Sequence, residues 1–390
     1  MADVVILEAV RTPIGKRNGS LAKVESPDLL GDLLIGMFAR TDLDPALVEQ
    51  VIVGCVNQVG QQSGNIARNA WLGAGLPLTT GASTTHAQCG SSQQATTLAH
   101  ALLRSELLEV AVAAGVESMS QVPMQASAVP EYGTGRNDRY KSWYEVTTQF
   151  EGAERIAERW GLDRSELDEF ALASQERAAT AISEGRFTEQ VVPVTVPAGS
   201  ESGHNDTRIF DRDECPRPST LEGLASLKPT MAERTPALHT AGTSSQIADG
   251  ASALLLSTSQ RAQQLGIRPI ARIVDTVLVG SDPVLMLTGP IPATEKLLRR
   301  NGLGIDDIDH FEVNEAFASV VLAWRASTGA DIRRVNVNGG AIALGHPLGA
   351  TGAMLITKTV HELARTGGRY GLITMCCGGG LGTGTIVERI

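Results

Sequence analysis

The 390-residue sequence predicts a layered α/β protein made of two similar halves with a segment inserted between them. Two observations carry this. Short apolar, β-branched runs alternate with Ala- and Leu-rich stretches of helical propensity, the pattern of helices packed on mixed or parallel sheets. The order of segments also returns near the end of the chain at an almost constant spacing. VEQVIVG begins at 48 and IDHFEVN at 308, EVAVAAG at 109 and YGLITMC at 370, offsets of 260 and 261. A stable offset across distant pairs marks an internal duplication.

Taken in order, VVILEAV (4–10) and VEQVIVGCV (48–56) read as short buried strands. STTHAQCGSS then leads into the helical QQATTLAHALLRSE, so Cys89 sits near a helix start, and EVAVAAGVESMS supplies a further buried strand. The second half repeats this with ARIVDTVLVG, IDDIDHFEVNEAFA, VNVNGGAIALGHPLGATGAMLITKTVHELA and RYGLITMCCGGGLGTGTIVERI. Between the halves the pattern loosens into polar, Pro-containing sequence, although 154–185 is strongly helical. The expected division is 1–120 plus 246–268 for the first half, 121–245 for an inserted lid, and 269–390 for the second half.

A formal charge of -10 argues against phosphate-backbone binding, so nucleic acid is not an expected partner. The start MADVVILEAVRTPIG lacks a basic n-region and a long apolar h-region and reads as a strand rather than an export signal. No run of about 18 apolar residues suggests a membrane span. Five cysteines without framework spacing suit a reducing cytoplasm and direct attention to catalytic thiols.

Four places carry the chemistry. A thiol at Cys89 would feel the positive end of a helix macrodipole, which favours the attacking thiolate; a buried structural cysteine is the alternative. His346 lies among glycines 339, 340, 345, 349 and 352, where it could take the thiol proton and bind an oxyanion, or simply be a satisfied histidine in a tight loop. The other histidines, at 86, 100, 204, 239, 310 and 361, lack that setting and read as structural or surface residues. MCCGGGLGTG (375–384) offers a second cysteine site before glycines whose N–H groups could bind an oxyanion. Adjacent Cys376 and Cys377 point to opposite faces of a strand and lack C-x-x-C spacing, so no metal is expected. In VNEAFA, Asn314 could hold a water or a carbonyl oxygen, or cap the following helix.

Together, Cys89 in AQCGSS, Asn314 in NEAFA, His346 in GGAIALGHPLGATG and Cys376 in CCGGGLGTG resemble the four active-site blocks of the thiolase family. EAVRTPIGK, GNIAR, GVESMS, TLEGLASLKP and TAGTSSQIADGASALLL extend the resemblance over nearly the whole chain. It implies two βαβαβαββ halves in a five-layered α-β-α-β-α core, with a loop domain covering coenzyme A. It further implies that Cys89 is acylated, that His346 activates it, and that Cys376 moves the proton at the substrate α-carbon or CoA thiol. One oxyanion hole would use His346 and an Asn314-held water, the other the N–H groups of Cys89 and Gly378. Ser245 matches the pantetheine-contacting serine, Arg217 and Leu224 the adenine region, and Ala316 and Phe317 further CoA contacts. CoA is then a co-substrate, with no permanently bound cofactor, and a homodimer or homotetramer is expected.

Short-chain biosynthetic thiolases carry an H-M-G segment ahead of T-A-E-N, where this chain has TTQFEGAERIA (147–157). That stretch, QCGSSQQA and HTAGTSSQIADGA resemble actinobacterial thiolases of steroid side-chain β-oxidation, implying thiolysis of a bulky 3-oxoacyl-CoA. The alternatives are a biosynthetic acetoacetyl-CoA thiolase, a ketosynthase, against which Cys376 speaks, and a non-catalytic acyl-CoA or lipid carrier.

Overall fold

The computed structural model describes residues 2–198 and 206–390; of the histidines named above, His204 lies outside them. The first half runs β1 (Val4–Arg11), β2 (Gly15–Lys16), α1 (Ser26–Phe38), β3 (Gln50–Gly54), α2 (Ile66–Gly73), β4 (Gly81–Thr85), α3 (Ser91–Arg104) and β5 (Val110–Ser118). Next come α4 (Asp138–Lys141), α5 (Gln149–Arg159), α6 (Arg164–Ser183), β6 (Val194–Pro197), β7 (Thr207–Phe210) and α7 (Leu221–Ala225). The chain returns to the first sheet with β8 (Ala248–Thr258), followed by α8 (Ser259–Leu265). The second half holds β9 (Ala271–Gly280), α9 (Pro290–Asn301), β10 (His310–Val313), α10 (Ala318–Thr328), α11 (Ala341–Leu344), α12 (Thr351–Thr366), β11 (Tyr370–Cys377) and β12 (Leu381–Arg389).

The strands follow the order β10-β11-β12-β9-β1-β8-β5-β3-β4, with β2 paired to β8. Within it the two halves have the same topology. From β1 the first half runs antiparallel to β8 and β5, then parallel to β3 and β4. From β9 the second half runs antiparallel to β12 and β11, then parallel to β10. The strand that would match β4 is reduced to a single parallel bridge, Phe311 with Val335. The halves meet edge to edge where β1 pairs antiparallel with β9 over Val4–Ile6.

The duplication read from the sequence is therefore architectural. β3 begins at 50 and β10 at 310, α3 at 91 and α12 at 351, β5 at 110 and β11 at 370, an offset of 260 each time. Helices α3 and α12 pack on each other and on both sheets, α1 and α2 cover the outer face of the first sheet, and α9 covers that of the second, giving the α-β-α-β-α layering. Strands in such a stack are buried on both faces, which is why β5 and β8 read as unbroken apolar and small runs rather than alternating ones. At the centre, Ala353 N donates to Ser92 Oγ at 2.9 Å. A Cβ on Gly352 would lie 2.4 Å from Gln93 N, so the closeness of the two helices depends on that glycine.

The described residues of 121–245 add no strand to the main sheet; β6 and β7 pair only with each other. The helical stretch read at 154–185 forms two helices. Gly161 at φ +66° ends the first, and Asp163 opens the second with a capping box to Glu166.

Candidate active site

The nucleophile candidate sits on a tight turn before α3. Gln88 adopts φ +53°, a conformation unusual for a residue with a side chain. Ser91 fastens that turn: its hydroxyl accepts from Ala87 N at 3.0 Å and donates to Gln88 O at 2.6 Å. Cys89 is thus presented to an adjoining cavity, and among the five cysteines it alone is not fully buried. The next residue must be glycine, because a Cβ at position 90 would lie 2.7 Å from Cys377 Sγ and 2.6 Å from Thr383.

The helix end does not lower the Cys89 thiol as the sequence suggested. Burial pushes its pKa up to about 11, and hydrogen bonds from the Gly378 and Cys89 N–H groups offset this only in part. The resting thiol is neutral and needs a base.

The candidate base on the same cavity is His346. Its Nδ1 lies 2.7 Å from Thr351 Oγ1, and that hydroxyl donates its single proton to Pro347 O at 2.8 Å. Thr351 can therefore only accept from the imidazole, so the ring proton resides on Nδ1 and Nε2 carries the lone pair. Burial lowers the His346 pKa to about 4, keeping the ring neutral near pH 7. Asn314 Nδ2 is 3.4 Å from Nε2, while its Oδ1 has no protein partner among the described residues. Asn314 does not cap α10, whose N-cap is Phe317. Its neighbour Glu315 is buried and accepts from Ser174 Oγ (2.7 Å), Asn336 Nδ2 (2.9 Å) and Ile342 N (3.1 Å), tying α6 to the glycine-rich loop. Burial raises the Glu315 pKa.

The adjacent cysteines of β11 diverge as strand alternation requires. Cys376 packs with Met286, Leu287, Ala316 and Phe317, whereas Cys377 faces the layer between the sheets, beneath Gly90. Burial raises both thiols, and proximity to Cys89 raises them further.

The cavity has a volume of about 630 Å³. Cys89, His346 and Gly378 line it together, with walls from Met119, Met124, Phe150, Leu287, Phe317 and Leu348. Of the residues matched to CoA contacts, Arg217, Ser245, Ala316 and Phe317 line it; Leu224 is buried and does not. Ser245 N donates to Ala316 O at 2.9 Å, which joins the two walls. The Ser244 hydroxyl is used by Thr240 O at 2.7 Å, whereas that of Ser245 has no protein partner among the described residues. Asn314 and Cys376 lie behind the lining, 1% and 0% exposed.

Sequence reasoning missed Thr351 and Glu117. The Glu117 carboxylate, fully buried, accepts from Val56 N, Asn57 N, Gln62 Nε2 and Gly349 N at 2.9–3.0 Å and so ties the first half to the His346 loop. The signal for Thr351 was its place in GHPLGATG, five residues beyond the histidine and at the start of the helix that follows.

The thiolase N-terminal domain family matches residues 4–260 and the thiolase C-terminal domain family residues 267–389. The chain is 46% identical to "Steroid 3-ketoacyl-CoA thiolase FadA6" of Mycobacterium tuberculosis, over 100% of this chain and 95% of that protein. It is 38% identical to a "Beta-ketoadipyl-CoA thiolase" of Acinetobacter baylyi, over the full length of both. Among solved structures, the acetyl-CoA acetyltransferase of Bacillus anthracis superposes with a TM-score of 0.91 at 36% identity, over 100% of this chain and 99% of that one. With both family models matched end to end and the active-site blocks gathered around one cavity, the chain belongs to the thiolase family and is an acyltransferase.

Proposed function

We propose that the protein cleaves 3-oxoacyl-CoA with CoA through an acyl-Cys89 intermediate. The observation that carries this is the accessible thiol of Cys89 in one cavity with His346 and the Gly378 N–H. Cys89 gives its proton to His346 Nε2, and the thiolate attacks the 3-oxo carbon. The C2–C3 bond breaks, and the departing acetyl-CoA enolate takes a proton from Cys376 at C2. CoA then returns a proton to Cys376 and attacks the thioester. Shortened acyl-CoA leaves, and His346 reprotonates Cys89. A second thiol is required because Cys89 is acylated when the enolate needs its proton. Tetrahedral oxyanions would be met by the Cys89 and Gly378 N–H groups on one side and by His346 with an Asn314-held water on the other.

The 121–245 segment serves in this reading as the cover for CoA, supported by Gln149, Phe150 and Arg217 on the cavity wall. CoA is the co-substrate, with Ser245 against its pantetheine. For the acyl group we favour a bulky 3-oxoacyl-CoA such as a steroid side chain; the support is the identity to the mycobacterial steroid thiolase and the presence of Gln149 and Phe150, from the QFEG segment, at the wall. A short dicarboxylic acyl group is the second reading, favoured by the relatives named for β-ketoadipyl-CoA. A cytoplasmic homo-oligomer accords with the five unpaired cysteines and the family; among the described residues no helix is long and apolar enough to cross a membrane.

The test is CoA-dependent loss of 3-oxoacyl-CoA absorbance, comparing acetoacetyl-CoA, 3-oxoadipyl-CoA and a steroid side-chain substrate. A much higher kcat/KM for the steroid substrate supports the first acyl assignment. Activity with none of the three, and no acyl-Cys89 by mass spectrometry, would leave the carrier alternative standing.

A further inference from the structure

We infer that Lys16 and Arg17 form an anion-binding rim of the catalytic cavity, taking a phosphate or carboxylate group carried by the acyl-CoA substrate. The inference rests on the thiolase reading above for the identity of the substrate, and on its own observations for the rim.

Both side chains line the cavity that holds Cys89, although most of its wall is apolar. Their backbone is pinned. Lys16 pairs with Ala248 on β8, Lys16 N donates to Glu214 Oε2 at 3.3 Å, and Asn18 N donates to Ser120 Oγ at 2.8 Å. The nearby Glu214 is already engaged, accepting from Ser20 N at 2.9 Å and from the Ser20 hydroxyl. Among the described residues, no carboxylate forms an ion pair with Lys16 or Arg17. Arg11, a few residues earlier, shows the contrast: it is buried and bonded to Asp213 at 2.7 Å. Arg217, on the same cavity, likewise has no carboxylate partner among the described residues. In a chain of net charge -10, three cations without an ion-pair partner among the described residues stand around one opening, against the nearby carboxylate of Glu214, and leave the local balance positive. A guanidinium beside an ammonium suits a phosphate or carboxylate, through forked and single charge-assisted hydrogen bonds. Two parts of the substrate offer that chemistry: the phosphates of CoA, and a carboxylate at the far end of a dicarboxylic acyl chain.

Calorimetric titration separates these sources without relying on turnover. The full-length Cys89→Ala protein, with and without Lys16→Ala/Arg17→Ala, is titrated with pantetheine, acetoacetyl-CoA and 3-oxoadipyl-CoA. Losing both cations is expected to weaken a rim-bound anion about 10-fold. Weakening of both CoA esters but not pantetheine assigns the rim to the phosphates; weakening of 3-oxoadipyl-CoA alone assigns it to the acyl carboxylate. A Lys16→Arg/Arg17→Lys variant should retain most affinity in either case. Unchanged binding of all three ligands, or equal weakening that includes uncharged pantetheine, overturns the inference. Failure of the thiolase reading would show separately, as absence of acyl-Cys89 in the wild-type protein.

Discussion

The hydroxyl of Thr351 holds the imidazole of His346 in one tautomer, 2.7 Å from Nδ1 and committed as a donor to Pro347 O. The basic lone pair is therefore at Nε2, on the side shared with Asn314. Thr351→Val removes the acceptor and leaves a buried N–H unsatisfied, a penalty of about 1–3 kcal/mol, or roughly 5- to 150-fold, in the rate of Cys89 acylation. Thr351→Ser should keep most of the rate. Single-turnover acylation monitored by mass spectrometry checks both, and equal rates for Val and Ser would refute the tautomer argument.

Cys89→Ala should abolish acyl-enzyme formation with little change in melting temperature; retained thiolysis would remove Cys89 from the mechanism. Iodoacetamide should modify Cys89 ahead of the four buried cysteines. The pH profile distinguishes base catalysis from a preformed thiolate. With the thiol pushed up to about 11 and His346 lowered to about 4, the neutral imidazole assists from about pH 4 upwards. In His346→Gln that assistance vanishes, and labelling should climb only as pH approaches 11.

Cys376→Ser should still acylate Cys89 yet stall at carbanion protonation, lowering kcat far more than the acylation rate. Cys377→Ser places a hydroxyl beneath Gly90 in an apolar layer and should cost stability more than chemistry. If the serine at 377 were the variant that blocks turnover while 376 tolerated it, the roles of the two thiols would be exchanged.

Glu117→Gln gives its own donors to a group that accepts N–H bonds only, the four shortest at 2.9–3.0 Å. Thermal denaturation should report a loss of about 2–4 kcal/mol. Because Gly349 N is one of the four, kcat should fall as well, through displacement of the His346 loop.

Acid should destabilise the fold before the carboxylates titrate. Burial holds His100 and His346 to about 4 against about 6.5 for an exposed imidazole, so the unfolded chain binds more protons between these values. The stabilisation is complete above about pH 6.5 and is lost as pH falls through that window. His100→Gln should flatten the decline in melting temperature from pH 7 to 5 relative to wild type.

The duplication, the position of Cys89 before a helix and the opposite facing of Cys376 and Cys377 were legible because each depends on local pattern or fixed periodicity. Two features were not. The Cys89 pKa depends on how much protein surrounds the sulfur and on the N–H of Gly378, nearly 300 residues away, which partly offsets that burial. The break at Gly161 was overridden in the reading by strong helical propensity on both sides, although glycine followed by Asp163 and Glu166 carries the stop and start signals.

The 260-residue repeat gives the catalytic pair an ancestry. Ser91 and Thr351, the first residues of α3 and α12, are equivalent positions, and each closes the loop before its helix through a side-chain hydroxyl. In those loops His346 has a counterpart in His86, and Cys89 has one in Gly349. In the proposed mechanism the two equivalent loops divide the work, the first presenting the nucleophile and the second the base. On that mechanism catalysis is bipartite: either half, separated from its twin, would keep the scaffold and only part of the machinery.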